Sequence, residues 1–587
     1  MENQKKQGRS FLREAVILTA ASFAVKIIGV VFKIPLTNIM GDSIGIFTAA
    51  YSIYAMLFML STSGLPVAIS RLVAASNERG RGREADRIAL IALIAFGLIG
   101  LSFSLLLIVF APLIAEKTSH PDSVLAMRMI APSLFCICVC ASVRGYYQGL
   151  RNMYPTAISQ FIEAFFKMAV GLTAVNIAAS KGASPEVQAA CAISGVTVGT
   201  MFAMIFILIY RGISRKTLPV YTDGSVRGDG KLLKMIMIVA LPVTLTAAAL
   251  YFSQFLDTIL IVNILKDSGE QEAVAQKLFS AYTGLSVPIY DLLPATLVFP
   301  IATSILPAIS AAVAVKKAKT AARLSEQAIR ISGIIAIPCG VFLLISGRWC
   351  IDLIYGADKW SEKIDPVSGI GSTALDNATA ALSVLAFAVF FISIVSTANA
   401  LLNAYGKPNL PFLSVLSGIA VLVVSEIILL YSPLGIVGAA LSSVICYTVV
   451  MLLDLRFLRK RCGVRLKLAG MFARPLLCGL ITAIATFLAR IAATAIWRNA
   501  VSEQTDTRGA AFFILVISGI IMVIAYLTSL LFFRGIKEHE VRLLPKGDKI
   551  AGLLLKLRWL KPDAKPEKLR IRSAVVNEDG GGENDER

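Results

Sequence analysis

The chain has 587 residues, 56% of them hydrophobic and only 16% charged. Soluble proteins are about a quarter charged, so this composition excludes a disordered chain, a collagen-like chain and almost any soluble enzyme. The net charge of +20 would suggest nucleic acid in a soluble protein. In a membrane protein it follows from Lys and Arg collecting in cytoplasmic loops, and no nucleic-acid partner is expected.

The N-terminus opens with Lys5, Lys6, Arg9 and Arg13, like the n-region of a signal peptide. The apolar stretch that follows runs to Met40 and carries Lys26 and Lys33. It is too long for an h-region and reads as an uncleaved first span. Runs of about 20 mostly apolar residues then recur near 44–74, 88–115, 124–150, 155–178 and 188–211, and again near 232–262, 279–312, 328–347, 379–404, 410–431 and 434–457. Two more follow near 474–496 and 510–534. The expected fold is an all-α polytopic membrane protein with fourteen spans.

Alternate connections are basic. Arg79, Arg81, Arg83 and Arg87 lie in one, Arg211, Arg215, Lys216 and Arg227 in another, Lys316, Lys317 and Lys319 in a third, and Arg456, Arg459, Lys460 and Arg461 in a fourth. This alternation puts both termini in the cytoplasm. Beyond residue 535, Ile550, Leu553, Leu554 and Leu557 at helical spacing, accompanied by Lys549, Lys556 and Arg558, suit a helix lying on anionic lipid. The end of the chain is Gly- and acid-rich and reads as disordered. The nine cysteines form no CxxC pair and only two histidines are present, so neither a disulfide framework nor a zinc site is expected.

The two six-span sets resemble each other. Ser63-Gly64-Leu65-Pro66 closes the second span and Ser304-Ile305-Leu306-Pro307 the eighth. Gly149 with Pro155 joins spans four and five, and Gly406 with Pro411 joins spans ten and eleven. An even number of spans per repeat keeps the orientation, so the repeats are parallel, a transporter arrangement with the site between lobes. The expected divisions are an N-lobe over 1–230, a C-lobe over 231–460, two extra spans over 461–535 and a tail over 536–587.

Ionisable residues inside spans are costly and usually functional. Lys26 and Lys33 share a face of span one, seven residues apart. Two such ammonium groups suit an anion or a hydrated cavity between them, although Lys33 has the alternative of snorkelling. Glu163 and Lys167 in span five stand at i, i+4, the spacing of an ion pair that can be purely structural. Asp257 in span seven has three candidate roles: pairing with a span-one lysine, binding a cation or carrying a proton. Arg144 and Gln148 at the end of span four are candidate gatekeepers of the cytoplasmic mouth, or snorkelling ends. Asp291 and Glu426 are weaker candidates. Pro35, Pro66, Pro242, Pro288, Pro294, Pro300 and Pro307 are expected to interrupt spans, as hinges or static kinks.

Three segments carry a resemblance: Phe23-Ala-Val-Lys26-Ile-Ile-Gly29, Thr62-Ser-Gly-Leu-Pro66-Val-Ala-Ile-Ser70, and Arg144-Gly-Tyr-Tyr-Gln-Gly149 followed by Pro155-Thr-Ala-Ile-Ser-Gln160. Together they resemble the SpoVB and MurJ-like polysaccharide flippases, in the superfamily that includes the MATE exporters. The resemblance implies two six-helix lobes around a central cavity plus two extra helices, in a bacterial cytoplasmic membrane. It also implies a lipid-linked oligosaccharide substrate such as lipid II, with wall-synthesis enzymes as candidate partners and a role in wall or spore peptidoglycan. Lys26 and Lys33 match the cavity-lining basic residues of span one, Lys33 one residue further on. Phe58 stands where MurJ-like proteins carry an arginine in span two, and span eight is apolar near Pro288, so the cationic site is thinner and another lipid-linked glycan stays open. No cofactor is expected; membrane potential, Na⁺ or H⁺ are the candidate driving forces. The competing readings are a cation-coupled drug exporter, which calls for an acidic cavity, and a membrane-embedded glycan polymerase, for which the outer connection 348–378 offers no nucleophile–base spacing.

Overall fold

The structure is a computed structural model. It describes residues 31–150, 152–214, 227–298, 317–356, 371–464, 468–500 and 507–533, with shorter stretches and single positions beside these. Lys26, Pro300, Pro307 and the apolar positions of the tail helix lie outside the described residues.

Residues 31–40 form α1. The chain continues through α2 (Ile44–Thr62), α3 (Leu65–Glu78), α4 (Gly82–Lys117), α5 (Val124–Gly149), α6 (Tyr154–Ser180) and α7 (Pro185–Ser214). The second set comprises α8 (Asp229–Asp267), α9 (Glu272–Ala281), α10 (Val287–Leu293), α11 (Ala318–Tyr355), α12 (Ala374–Ala404), α13 (Asn409–Leu430) and α14 (Ile436–Cys462); α15 (Leu468–Ala500) and α16 (Thr507–Phe532) follow. Among the described residues the sole β pairing is an isolated bridge between Lys363 and Thr373.

Among the described residues, eleven helices are long and apolar enough to cross a membrane. The first of these runs, Ile27–Asn77, contains two crossings. The Phe32 and Phe47 ring centroids lie 6.2 Å apart, whereas continuous helix would separate these positions by about 22 Å. The reversal falls at Gly41, whose φ of +54° is open to glycine at little cost. The 39-residue α8 and the α9–α10 segment supply the remaining crossings, so each of the fourteen spans expected from the sequence has a helical counterpart.

Span two differs from expectation. It breaks at Ser63–Gly64, and Pro66 lies in the first turn of the new helix α3 rather than interrupting an old one. Prolines do lie inside helices at Pro112, Pro132, Pro338 and Pro475, positions that pattern reading passed over. Span eight is the irregular one. A π turn over Tyr282–Ser286 precedes α10 and another over Pro294–Val298 follows it. Pro288 and Pro294 each remove an amide donor, which favours such widened turns.

The two halves pack alike. In the first, α4 lies on α5, α6 on α7 and α5 on α7; in the second, α11 lies on α12, α13 on α14 and α12 on α14. Gly171 on α6 meets the Phe32 ring of α1, as α13 meets α8. The protein is therefore an all-helical bundle of two pseudo-symmetric lobes. The extra pair α15–α16 is seated on α11, where the Tyr526 hydroxyl donates to the Ile334 carbonyl at 2.8 Å.

A polar pocket between the lobes

The lobes meet chiefly where α2 and α3 pack on α8. Polar contacts stitch this seam: Ser52 Oγ and Thr258 Oγ1 lie 3.0 Å apart, and the Gly45 and Gly64 amides donate to Ser280 Oγ and Thr244 Oγ1, each at 3.2 Å.

Beside the seam is a small pocket of about 100 Å³ lined by Tyr51, Tyr54, Phe58, Glu163, Lys167 and Tyr251, among others. Close helix packing positions its charged wall. Gly195 and Gly199 form a Gly-x-x-x-Gly pair on α7, and a Cβ at either would come within 2.5 Å of the Lys167 or Glu163 carbonyl oxygen. Small residues at this spacing let α7 lie directly against α6, which holds Glu163 and Lys167 at the pocket.

The expected Glu163–Lys167 ion pair does not form. Glu163 instead accepts from Arg144 Nη2 of α5 at 2.9 Å, and Arg144 Nε donates to Ser159 Oγ at 2.9 Å. Arg144 is buried, so it is not a snorkelling end; a buried guanidinium is tolerated because its fork is matched by a carboxylate and a hydroxyl. Lys167 is thereby left without a carboxylate partner among the described residues. Its Nζ donates to Tyr51 Oη at 3.4 Å and lies 4.8 Å and 5.3 Å from the Tyr51 and Phe32 ring centroids. Aromatic faces stabilise a cation while leaving its other N–H groups for a ligand.

Lys33 points across the seam rather than along the membrane surface. Its Nζ donates to the Thr283 carbonyl at 3.5 Å, within the first π turn of span eight. Asp291 and Lys167 are the charges near enough to act on it. The structure thus brings Lys33, Lys167, Glu163 and Arg144 to one region, with Asp291 beside them. Gln148 stays half-buried near the end of α5, away from the pocket.

Asp257 lies elsewhere. Its carboxyl meets that of Glu426 on α13, inside the second lobe, while Lys33, the described lysine of span one, bonds the Thr283 carbonyl. Asp257 Oδ1 and both Glu426 oxygens lack a hydrogen-bond donor among the described residues. Two facing carboxyls without a base are compatible only if they share a proton or a cation. Among the described residues no group of three or more His, Cys, Asp or Glu side chains could hold a metal ion.

Sequence reading missed the tyrosines. Phe47, Tyr51, Tyr54 and Phe58 form a ladder along α2 with successive centroids 5.7–5.8 Å apart. Their i, i+4, i+7, i+11 spacing was the available signal, since it places all four rings on one helix face.

At the end of the bundle opposite the basic loops, the lobes are tied. Lys277 Nζ lies 3.0 Å from Asp42 of the first lobe and 2.6 Å from Glu362 in the connection between α11 and α12. Asn38 Nδ2 donates to the Ile354 carbonyl at 3.0 Å, and Ser119 Oγ to Asn263 Oδ1 at 2.6 Å.

Two pseudo-symmetric helical lobes with a polar pocket between them are the architecture of a multi-pass membrane transporter. The chain belongs to the polysaccharide biosynthesis protein family, which it matches over residues 11–313. It is similar to stage V sporulation protein B of Bacillus subtilis (strain 168), with 26% identity over 548 residues, 92% of this chain and 98% of the relative. It is also similar to the lipid II flippase MurJ of the same organism, with 21% identity over 472 residues, 78% of this chain and 84% of the relative. Its fold matches the solved structure of lipid II flippase MurJ in an inward closed conformation, with a TM-score of 0.63, 16% identity and coverage of 88% of this chain and 99% of that one.

Proposed function

We propose that this protein is a flippase that carries a lipid-linked cell-wall precursor, lipid II or a related undecaprenyl-pyrophosphate glycan, across the bacterial cytoplasmic membrane. The observation that carries this reading is the pair Lys33 and Lys167, two ammonium groups at the lobe seam with no carboxylate bonded to either among the described residues. A pyrophosphate needs cationic donors, and Lys26 is the third candidate donor on the same segment. The similarity to stage V sporulation protein B and to MurJ supports the precursor class. It also supports a transporter rather than an enzyme, with wall-synthesis enzymes as candidate partners.

In this reading the basic loops face the cytoplasm, both termini included, and the lobes over 1–230 and 231–460 rock about the α2–α8 seam. The Lys277 ties then close the outer face and must open for release. The head group enters from the cytoplasm between Lys33, Lys167 and the tyrosines, while the lipid tail stays in the bilayer. The Asp257–Glu426 pair serves the coupling step by taking up H⁺ or Na⁺, and the membrane potential acts on the moving charge. No cofactor is invoked. A cation-coupled drug exporter is the second reading. The Asp257–Glu426 pair favours it, but the substrate-facing seam is cationic rather than acidic.

The test is reconstitution in liposomes with labelled lipid II, reading head-group accessibility in the opposite leaflet. Protein-dependent flipping that falls at least about tenfold in Lys33→Ala and Lys167→Ala is expected, since each removes a charge-assisted contact. No flipping under an imposed potential and both ion gradients would overturn the lipid II reading.

A further inference from the structure

A second pocket, larger than the one at the seam, lies away from it. A pocket of about 270 Å³ opens at the basic end of the first lobe, where the start of α4 meets the ends of α5 and α7. It is lined by Arg83, Asp86, Arg87 and Leu90 of α4, Tyr146 and Tyr147 of α5, and Arg211 of α7. None of these belongs to the substrate pocket described above. We propose that this pocket binds the phosphodiester head group of an anionic phospholipid of the surrounding leaflet.

Its charge fits a negative group. Arg87 is engaged by Asp229 through Nε at 2.8 Å and Nη2 at 2.6 Å. Among the lining residues three arginines stand with the single carboxylate of Asp86, so the lining favours an anion. The donor that lacks an acceptor is on Arg211. Its guanidinium lies over the Tyr146 ring, 5.6 Å from the centroid, and its Nη1 is buried without a hydrogen-bond partner among the described residues. The Tyr146 hydroxyl donates to Asp86, which fixes the ring under Arg211. An unmet guanidinium N–H at low dielectric is costly and is relieved by an anionic oxygen.

The surface below the pocket argues for a lipid rather than a soluble anion. Arg83 and Arg87 share one face of α4 with Leu90, Ile94, Leu98, Leu101 and Leu105, spaced by three or four residues. All five apolar side chains on this stripe are exposed. A lipid seated with its phosphate among the arginines would lay its acyl chains along this stripe. Basic pockets between helices at the cytoplasmic surface are suited to anionic head groups.

The experiment titrates the purified full-length protein in detergent with short-chain phosphatidylglycerol or phosphatidylcholine, and counts bound lipid by native mass spectrometry. Phosphatidylglycerol should bind one site more tightly than phosphatidylcholine. Arg211→Gln should weaken that site about tenfold, while Arg459→Gln, an exposed arginine outside the pocket, should leave it unchanged. Arg83→Gln, on an exposed first-turn position, is the second variant should Arg211→Gln not fold, and is expected to weaken binding in the same direction. Equal binding of the two lipids would overturn the proposal, as would wild-type affinity in the folded variants. Displacement of the lipid by equimolar inorganic phosphate would reassign the pocket to a soluble anion.

Discussion

The two lobes bury charge in opposite ways. In the first, Arg144 and Glu163 neutralise each other across α5 and α6, and Lys167 rests on aromatic rings. In the second, Asp257 and Glu426 face each other across α8 and α13 with no base bonded to either among the described residues. The packing matches α6, which carries Glu163 and Lys167, with α13, which carries Glu426, so corresponding helices carry a compensated cationic wall in one lobe and half of an acidic pair in the other. A repeat fixes where helices meet; it does not fix the sign of the charge placed there. The first arrangement is stable by itself and has a cation to offer. The second needs a proton or a cation to exist at all.

The strongest way to break this contrast is to remove one member of the compensated pair. Arg144→Leu leaves Glu163 beside the pocket without its cation and should destabilise the protein by about 3 kcal/mol, near the low end for buried pairs because Glu163 is partly exposed. Thermal unfolding in detergent measures this. Arg144→Leu combined with Glu163→Leu should recover most of the stability, since removing both partners is often close to neutral. A double variant as unstable as the single one would show that Arg144 acts by something other than pairing.

Asp257→Asn sharpens the other half. An amide is the isostere of a protonated carboxyl and can donate to Glu426, so stability should change by less than about 1 kcal/mol. Transport should lose its dependence on the ion that the pair takes up, read as activity in liposomes with Na⁺ or pH gradients imposed in turn. Unchanged dependence on both would detach the acidic pair from coupling.

The smallest effect is expected at the tie between the lobes. The hydrogen bond from Lys277 holds the Glu362 carboxyl below its usual range. A depressed carboxylate contributes stability that is fully present above its unfolded value, about 4.3, and lost as pH falls through the lower folded value. Acid should therefore loosen this end of the bundle, and Glu362→Gln should remove that part of the pH dependence. Reactivity of a cysteine introduced at Ser43, half-buried beside the tie but not part of it, followed between neutral and acid pH, reports the opening.

The sequence by itself determined much. Apolar run lengths gave the spans and the sign of the loops gave their alternation, because a bilayer imposes both on any chain that crosses it. The parallel repeat was visible in Ser63–Pro66 and Gly149–Pro155 with their later counterparts. The sequence also nominated the ionisable residues, since charge inside an apolar run has few structural excuses. What it could not decide was their partners. The i, i+4 spacing of Glu163 and Lys167 favoured a bond within one helix, but Arg144 arrives from α5 and takes the carboxylate. Asp257 had a span-one lysine, a cation or a proton as its candidates, and the residue its carboxyl meets is Glu426, 169 positions away along the chain. The aromatic cradle of Lys167 and the pocket closed by Arg211 each draw on several helices. Membrane insertion is set locally, residue by residue along each span, whereas the pairing of buried charges is set by which helices pack together, and tertiary structure alone decides that.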